Sequence, residues 1–492
     1  MLEHLPALQV VLPLVCAPLI VLVRRAGFAW LLATVVSWLA LVISSLLAAR
    51  VLEVGTISYA LGSWPPPWGI EYRVDALNAF VLVLVAAVGA IVMPYARGSI
   101  AAELRPEQHY LFYALYCLCL AGLLGIAITG DVFNLFVFLE ISSLSTYAMI
   151  ALGQQRKALV AAYQYLVMGT IGATFYVIGI GLLYLMTGTL NLADLATRLP
   201  AVADGRPVLA ALTFITVGIG LKLALFPLHQ WLPNAYAYAP SAVTAFIAAT
   251  ATKVSVYVLV RFYFMVFGQT LVFDRLPFGD VLLVLSVAAI VTASLVAVFQ
   301  PDLKRMLAYS SVGQIGYITL GISLANAPGL TGAIAHLFNH ALAKGALFLL
   351  AGGIALRYGD TSFRQITGLA ARMPLTSFGV VLAGLSLIGI PGTAGFTTKW
   401  YLIVGAVERG YWLLAVLIVA TSLIAVVYVW RFVEAAYFQA PALAAPHPSE
   451  MPPMMLVPAW LMVGGCVYFG LETSFNIGFA GHAADLLLRR MQ

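Results

Sequence analysis

The stretch Gly218 to Lys253, GIGLKLALFPLHQWLPNAYAYAPSAVTAFIAATATK, decides the fold. It is apolar enough to lie in a bilayer, yet it holds Lys222, Pro227, His229, Pro233, Pro240 and Lys253. A lysine at the bilayer centre costs roughly 2.5–3.5 kcal/mol on insertion scales. Pro227 removes a helical hydrogen bond, and its ring clashes with the preceding turn. A broken helix survives at membrane depth only where it is packed in protein or lines a wet cavity. A lysine beside such a break reads as part of an ion path. The competing reading is a side chain that snorkels to the interface; the apolar residues on both sides of Lys222 argue against it.

Composition extends this reading to the whole chain. Of 492 residues, 63% are hydrophobic and 9% charged, against about 25% charged in a soluble protein. The expectation is an all-α polytopic membrane protein forming one integral membrane domain over residues 1–492. Fourteen spans are expected, near 5–23, 28–50, 74–95, 109–129, 131–152, 160–187, 208–237, 241–267, 279–300, 304–325, 329–357, 375–406, 410–438 and 453–472. No cleavable signal is expected at the N-terminus, because Leu5 to Val23 is long enough to span and no small-residue cleavage motif with a charged n-region precedes it. The stretch Phe475 to Leu488 reads as interrupted by Gly478, Gly481 and His482 and too short to span. Trp64-Pro-Pro-Pro-Trp68 reads as a stiff interfacial connector, and Gln439 to Pro453 as an irregular Pro/Ala-rich linker.

The net charge of +6 is read as membrane orientation rather than nucleic-acid binding. Twelve loop Arg and Lys residues, Lys304 among them, are counted after odd-numbered spans and nine, Arg261 and Arg490 among them, after even ones, which puts the odd-span ends in the cytoplasm. Cys16, Cys117, Cys119 and Cys466 all lie in apolar spans, with no zinc or iron–sulfur spacing. No phosphate loop or dinucleotide fingerprint is present. No cofactor or metal is expected, so redox or nucleotide chemistry would belong to another chain.

Lysine and arginine are divided unusually. Lys222, Lys253, Lys344 and Lys399 fall inside or at the edge of apolar spans, while nearly all of the 19 arginines (25 basic residues minus 6 lysines) fall in loops. Lysine can lose its proton when desolvated and arginine effectively cannot. Glu140, in DVFNLFVFLEISSLSTYAMI, is the one acid expected deep in a span, and Lys222 is its natural partner. Pairing favours the charged form of each group and burial the neutral form, so making or breaking the pair would control the proton on Lys222. A static bridge between two helices is the alternative. Asp131 reads as a helix cap.

His336, His340 and Lys344, in HLFNHALAKGALFLL, share one helix face at a spacing of four. Such a ladder reads as a proton relay; interhelical hydrogen bonding and a metal site lacking further ligands are the alternatives. Ser310, Ser311, Gln314 and Tyr317 could supply partners. With Lys399, these groups could form one polar file. Span 7 carries lysine then proline (GLKLALFP), and span 12 carries Pro391 then Lys399 (GIPGTAGFTTK). Two interrupted helices in corresponding positions point to inverted repeats, pairing spans 4–8 (109–267) with spans 9–13 (279–438). Two unrelated kinks remain the alternative.

At these motifs the chain resembles the antiporter-like subunits shared by Mrp-type multisubunit Na⁺/H⁺ antiporters, proton-pumping NADH–quinone oxidoreductase and membrane-bound hydrogenases. The matching segments are FNLFVFLE, GLKLALFPLHQWLPNAYAYAP, ATK at Lys253, DLKRMLAYSSVGQIGY, HLFNHALAKGALF and PGTAGFTTKW. Within that family it looks most like the D-type subunits of Mrp antiporters. The resemblance implies a 14-helix fold with two inverted five-helix repeats and helices 7 and 12 broken at Pro227 and Pro391. It implies proton transfer through Glu140, Lys222, Lys253, His336, His340, Lys344 and Lys399. It also implies other membrane subunits as partners, H⁺ and Na⁺ as the ions, and a bacterial inner membrane as the location. The function expected is a proton-translocating, non-enzymatic subunit of a cation/H⁺ antiporter, with the pumping subunit of a redox-driven complex as the alternative. A solute carrier or inert scaffold fits poorly with four lysines inside spans.

Overall fold

The structure, a computed structural model, describes residues 2–440 and 449–489. Two N-terminal helices, α1 (Leu5–Val23) and α2 (Ala26–Val54), lead to a hairpin of β1 (Ile57–Ala60) and β2 (Glu71–Val74). Then follow α3 (Ala76–Glu103), α4 (His109–Ile128), α5 (Val132–Ala151), α6 (Arg156–Thr187), the short α7 (Leu192–Arg198), α8 (Arg206–Leu223), α9 (Trp231–Tyr238) and α10 (Ser241–Val260). The second half holds α11 (Phe278–Val298), α12 (Leu303–Ser323), α13 (Ala327–Tyr358), the short α14 (Leu369–Arg372), α15 (Pro374–Ile388), α16 (Ala394–Glu408) and α17 (Trp412–Val433). The described chain closes with α18 (Pro453–Leu471) and α19 (Asn476–Arg489).

Among the described residues, 12 helices are long and apolar enough to cross a membrane. Two expected spans fall outside that group, for different reasons. Span 10 is α12, long enough at 21 residues but carrying Lys304, Arg305, Ser310, Ser311 and Gln314. Span 12 is divided into α15 and α16, each of 15 residues. Trp64 to Trp68 is the tip of the antiparallel β1–β2 hairpin rather than a connecting rod. Its tryptophans are both exposed. Phe475 to Leu488 is not interrupted: α19 runs through Gly478 and Gly481 and buries Phe479, Ala480, Ala483, Ala484 and Leu487. Residues 441–448 of the expected linker, and Arg490 of the loop charges, lie outside the described residues.

Short polar residues cap several of the helices. Asp131 accepts from the Asn134 amide at 2.6 Å, Asp302 from Arg305 at 2.9 Å and Asn326 from Gly329 at 3.0 Å. Asp75 and Asn78 form a reciprocal capping box on α3. Helices pack through small residues, the way lipid-embedded helices approach closely. At the α6–α8 contact, Gly172 and Gly218 face each other so closely that a Cβ on Gly218 would come within 2.6 Å of the Gly172 carbonyl oxygen.

The centre of the bundle is α13, whose apolar stretch is wholly enclosed, with α10 almost wholly buried beside it. These two helices carry Lys253, His336, His340 and Lys344. Groups costly in hydrocarbon thus sit where lipid cannot reach them, while α1, α2, α6, α11, α17 and α18 show apolar faces outward.

The two halves share one local pattern. Asp131 bridges Asn191, with Val132 N donating to Leu190 O and Leu192 N to Gly130 O. Asp302 bridges Ser362, with Leu303 N donating to Thr361 O and Phe363 N to Pro301 O. In each case the capping aspartate of one helix pairs with the segment just after the next helix.

Candidate functional site: a lysine axis at two helix breaks

The first break begins earlier than Pro227 suggests. Helix α8 ends at Leu223, Ala224 turns left-handed at φ 60°, and helix resumes at Trp231. Its terminal carbonyls are satisfied locally: Leu225 N donates to Gly220 O at 2.8 Å and Trp231 Nε1 to Leu221 O at 2.9 Å. Trp231 stacks on Tyr165 at 3.8 Å, fixing the second half-helix. Lys222 thereby occupies the last turn of α8, where the carbonyl end of the helix favours a cation.

Lys222 is buried, and its ammonium donates to Ser143 Oγ at 2.8 Å and Glu140 Oε1 at 3.3 Å. The expected pair is therefore formed. Glu140 is not deep, however: its side chain is 26% exposed on the outer wall of the bundle, beside exposed Val137 and Leu144. The acid is one of two faces of a boundary, with lysine inside and carboxylate at the wall.

The second break shows the counterpart. Helix α15 stops at Ile388 with Gly389 left-handed, and α16 starts after Thr393, enclosing Pro391 between them. Lys399 reaches back from α16 and donates to Ile388 O at 2.6 Å, Leu387 O at 3.4 Å and Ser422 Oγ at 2.9 Å, with the Tyr317 ring 4.8 Å away. The opposite order of lysine and proline in the two spans has a common result, a buried lysine at the end of the first half-helix: Lys222 belongs to the last turn of α8, with its ammonium turned to Ser143 and Glu140, and Lys399 reaches back from the second half-helix to the last carbonyls of α15.

Between the breaks lie the remaining groups. Lys253 donates to Ala248 O and, at 3.4 Å, to Thr252 Oγ1. Lys344 donates to Leu307 O at 2.7 Å and to Ser310 Oγ. His336 is held between Thr398 Oγ1 and Gln314 Oε1, each at 2.8 Å. His340 stacks on His336 at 5.6 Å, and neither of its ring nitrogens has a protein partner among the described residues. Lys253 is near enough to act electrostatically on His336, His340 and Lys344, and Lys399 on His336. Lys222 and Lys253 share no direct contact. Small cavities of about 10 and 20 Å³ lie beside Lys222, both lined by Ser255 of the Lys253 helix. The larger is walled by Ser142, Ser143 and Thr146 and is large and polar enough for one water.

Lys253, Lys344 and Lys399 have no carboxylate within 4.0 Å among the described residues. An unpaired buried ammonium is costly, and a lysine, unlike an arginine, can escape that cost by releasing its proton. The arrangement suits transient occupation by protons passed between neighbours. No group of three or more His, Cys, Asp or Glu among the described residues is placed to hold a metal ion.

Two charged clusters were not anticipated. Arg261, counted above among loop charges, is buried at the end of the α10 span and grips Asp75 through two bonds of 2.8 and 2.5 Å, with Tyr257 and Asn78 completing the cluster. Its place inside VLVRFYFMVF was the available signal. Lys304, also assigned to a loop, is buried and donates to Ser241 Oγ at 2.9 Å.

Replacing Lys344 with alanine tests the histidine-lysine face. Transport is expected to fall by at least about a hundredfold, a typical contribution of a positioned proton donor, with the amount assembled in the membrane nearly unchanged. Full transport at normal assembly would return this face to packing.

A bundle with two broken helices and buried lysines at both breaks defines an ion-translocating membrane subunit. Residues 129–425 match the family described as NADH:quinone oxidoreductase/Mrp antiporter, TM, and the chain belongs to that family. It is 44% identical over 487 residues to the N subunit of NADH-quinone oxidoreductase from Desulforudis audaxviator, covering 96% of each chain. It is 28% identical over 484 residues to the D subunit of the Na(+)/H(+) antiporter from Bacillus subtilis, covering 98% of this chain and 96% of that one. Its fold superposes on a chain of the Mrp complex from Dietzia sp. DQ12-45-1b with a TM-score of 0.91 and 25% identity, covering 99% of this chain and 98% of that one. The protein is thus a multi-pass membrane protein of this family, and the relatives it matches are named as subunits of larger assemblies.

Proposed function

We propose that this chain is the proton-translocating subunit of a multisubunit monovalent cation (Na⁺)/H⁺ antiporter. Protons move along Glu140, Lys222, Lys253, His336, His340, Lys344 and Lys399. The observation that carries this reading is the lysine axis itself. A buried lysine stands at each helix break, Lys222 in the last turn of α8 and Lys399 with its ammonium on the last carbonyls of α15, and among the described residues Lys222 alone of the four axis lysines has a carboxylate partner. The fold similarity to the Mrp complex chain and the full-length similarity to an antiporter subunit support antiport. The matched bridges Asp131–Asn191 and Asp302–Ser362 support inverted repeats over 109–267 and 279–438.

A second reading, the pumping subunit of a redox-driven complex, is favoured by the 44% identity to a protein named for NADH–quinone oxidoreductase. The same proton file serves either source of energy. Purification from the native membrane separates them. Co-purifying small antiporter subunits, with Na⁺-dependent proton movement in vesicles, support the first; redox subunits and substrate-driven proton movement support the second.

The chain alone is expected to be inactive. Glu140 opens on the outer wall, where a neighbouring subunit must cover a charge that lipid would not tolerate. Vesicles holding only this protein should show no cation-dependent proton movement above background. Antiport by the isolated chain would remove the multisubunit reading.

A further inference from the structure

The end of the bundle that carries Arg105, Arg156, Lys157 and Arg305 contains an open polar pocket of about 350 Å³. It lies among the ends of α3, α5, α9 and α13 and the starts of α10 and α12, with Gln154, Gln155 and Tyr238 in its wall. Glu103 and Lys304 also line it. Behind them Ser241 ties the two together: its N–H and Oγ donate to Glu103 Oε2 at 2.9 and 3.2 Å, and its Oγ accepts from Lys304 Nζ at 2.9 Å. The other carboxylate oxygen accepts from Ser99 Oγ at 2.5 Å. Carboxylate, hydroxyl and ammonium thus form a continuous hydrogen-bonded row at the boundary between water and the bundle interior.

We propose that this Glu103–Ser241–Lys304 pocket is the mouth through which protons from the aqueous phase on that side reach the lysine axis. The inference rests on the proton-translocation reading above. Lys304 stands in the first turn of α12, and two turns deeper the same helix holds Lys344 through Leu307 O and Ser310 Oγ. Six residues of helix rise about 9 Å, a gap that a short water chain spans. Ser241 in turn begins α10, the helix of Lys253. The pocket therefore touches the two helices that lead inward to the axis.

The chemistry selects protons over metal cations. The ammonium of Lys304 is one hydroxyl away from Glu103, the only carboxylate in the pocket wall among the described residues. On the rim, Tyr238 carries Lys157 over its ring at 5.3 Å and accepts from Arg305 at 3.0 Å. This basic surround repels a hydrated Na⁺, whereas a proton passes by exchange along hydrogen bonds without a cation residing there.

The competing role for Glu103 is a clamp on the start of α10. Glu103→Gln keeps an acceptor for the Ser241 amide but cannot take up a proton, and Glu103→Asp keeps the carboxylate. In the complex purified with its partner subunits and placed in vesicles, Glu103→Gln is expected to lower proton transport at least about tenfold at normal assembly. Glu103→Asp should recover much of it; a clamp predicts the reverse ranking. A second measurement does not depend on that variant assembling. All four natural cysteines are buried, so Ala102→Cys in the pocket wall offers a single accessible thiol. A bulky charged methanethiosulfonate on that introduced thiol should block transport. A methyl adduct there, or the bulky adduct at a Glu107→Cys control outside the pocket, should not. Unchanged transport with the bulky adduct verified by mass, or in assembled Glu103→Gln, overturns the proposal. Lys222→Ala in the same vesicles separates the two levels. If it is inactive while the pocket variants transport normally, only the mouth is wrong. If it transports normally, the translocation reading itself fails.

Discussion

Lys222→Ala and Glu140→Gln should each nearly abolish proton movement by the assembled complex. The lysine variant leaves the Glu140 carboxylate at the wall with no counter-charge, a costly arrangement in a bilayer. The glutamine variant keeps a hydrogen-bonding group 3.3 Å from the ammonium but removes the negative charge that faces it. Breaking a buried pair costs about 3–5 kcal/mol. Glu140 is 26% exposed, and Ser143 Oγ still accepts from the lysine at 2.8 Å, so the penalty for the glutamine variant lies below that range. Loss of assembled protein must still be measured beside loss of transport. The double variant Glu140→Gln/Lys222→Met separates the roles. A structural bridge predicts recovered transport, because neither buried charge remains. A working relay predicts recovered assembly with transport still absent. Normal transport in either single variant, at normal assembly, would falsify the relay.

Much of this was legible in the sequence, because the bilayer imposes a strong pattern. Apolar runs long enough to cross gave most helices within a few residues, and Asp131 marked the start of α5 as a cap; Asp302 caps α12 in the same way without having been read so. The breaks were legible because proline cannot continue a helix, although the first opens at Ala224, before Pro227, where a left-handed residue already ends the ladder. Other features depend on what surrounds a residue, which one chain's order of residues does not carry. Glu140 is flanked by apolar residues, but those residues face the outer wall as well as the core. Lys304 and Arg261 fall at span ends, where a charge normally meets water; here neighbouring helices bury both. The opposite order of lysine and proline in the two breaks became intelligible only with the Lys399 ammonium seen on the Ile388 carbonyl.

That contact leads to the second large effect, Gly395→Ala. A Cβ on Gly395 would lie 1.8 Å from the Ser386 carbonyl oxygen and 2.9 Å from its carbon, where ordinary contact begins at 3.4 Å. The obstacle is helix backbone, so it cannot swing aside as a side chain would. Helix α16 must separate from α15 by up to 1.6 Å, the difference between 3.4 and 1.8. The shift would draw Lys399 from the Ile388 oxygen at 2.6 Å and Thr398 from His336 at 2.8 Å, opening the proposed proton file at two joints. Overpacking alone costs about 1–3 kcal/mol. A misplacement of about 1 Å can lower a rate on the order of a hundredfold, so transport should drop by at least that much in whatever protein still assembles. Gly464→Ala in α18, where a Cβ would meet nothing within 4 Å, is the matched control and should behave as the parent. Assembly and proton movement measured for both variants decide the matter. Parent-like transport by Gly395→Ala would mean that the close seating of α16 on α15 is not what holds Lys399 in the path.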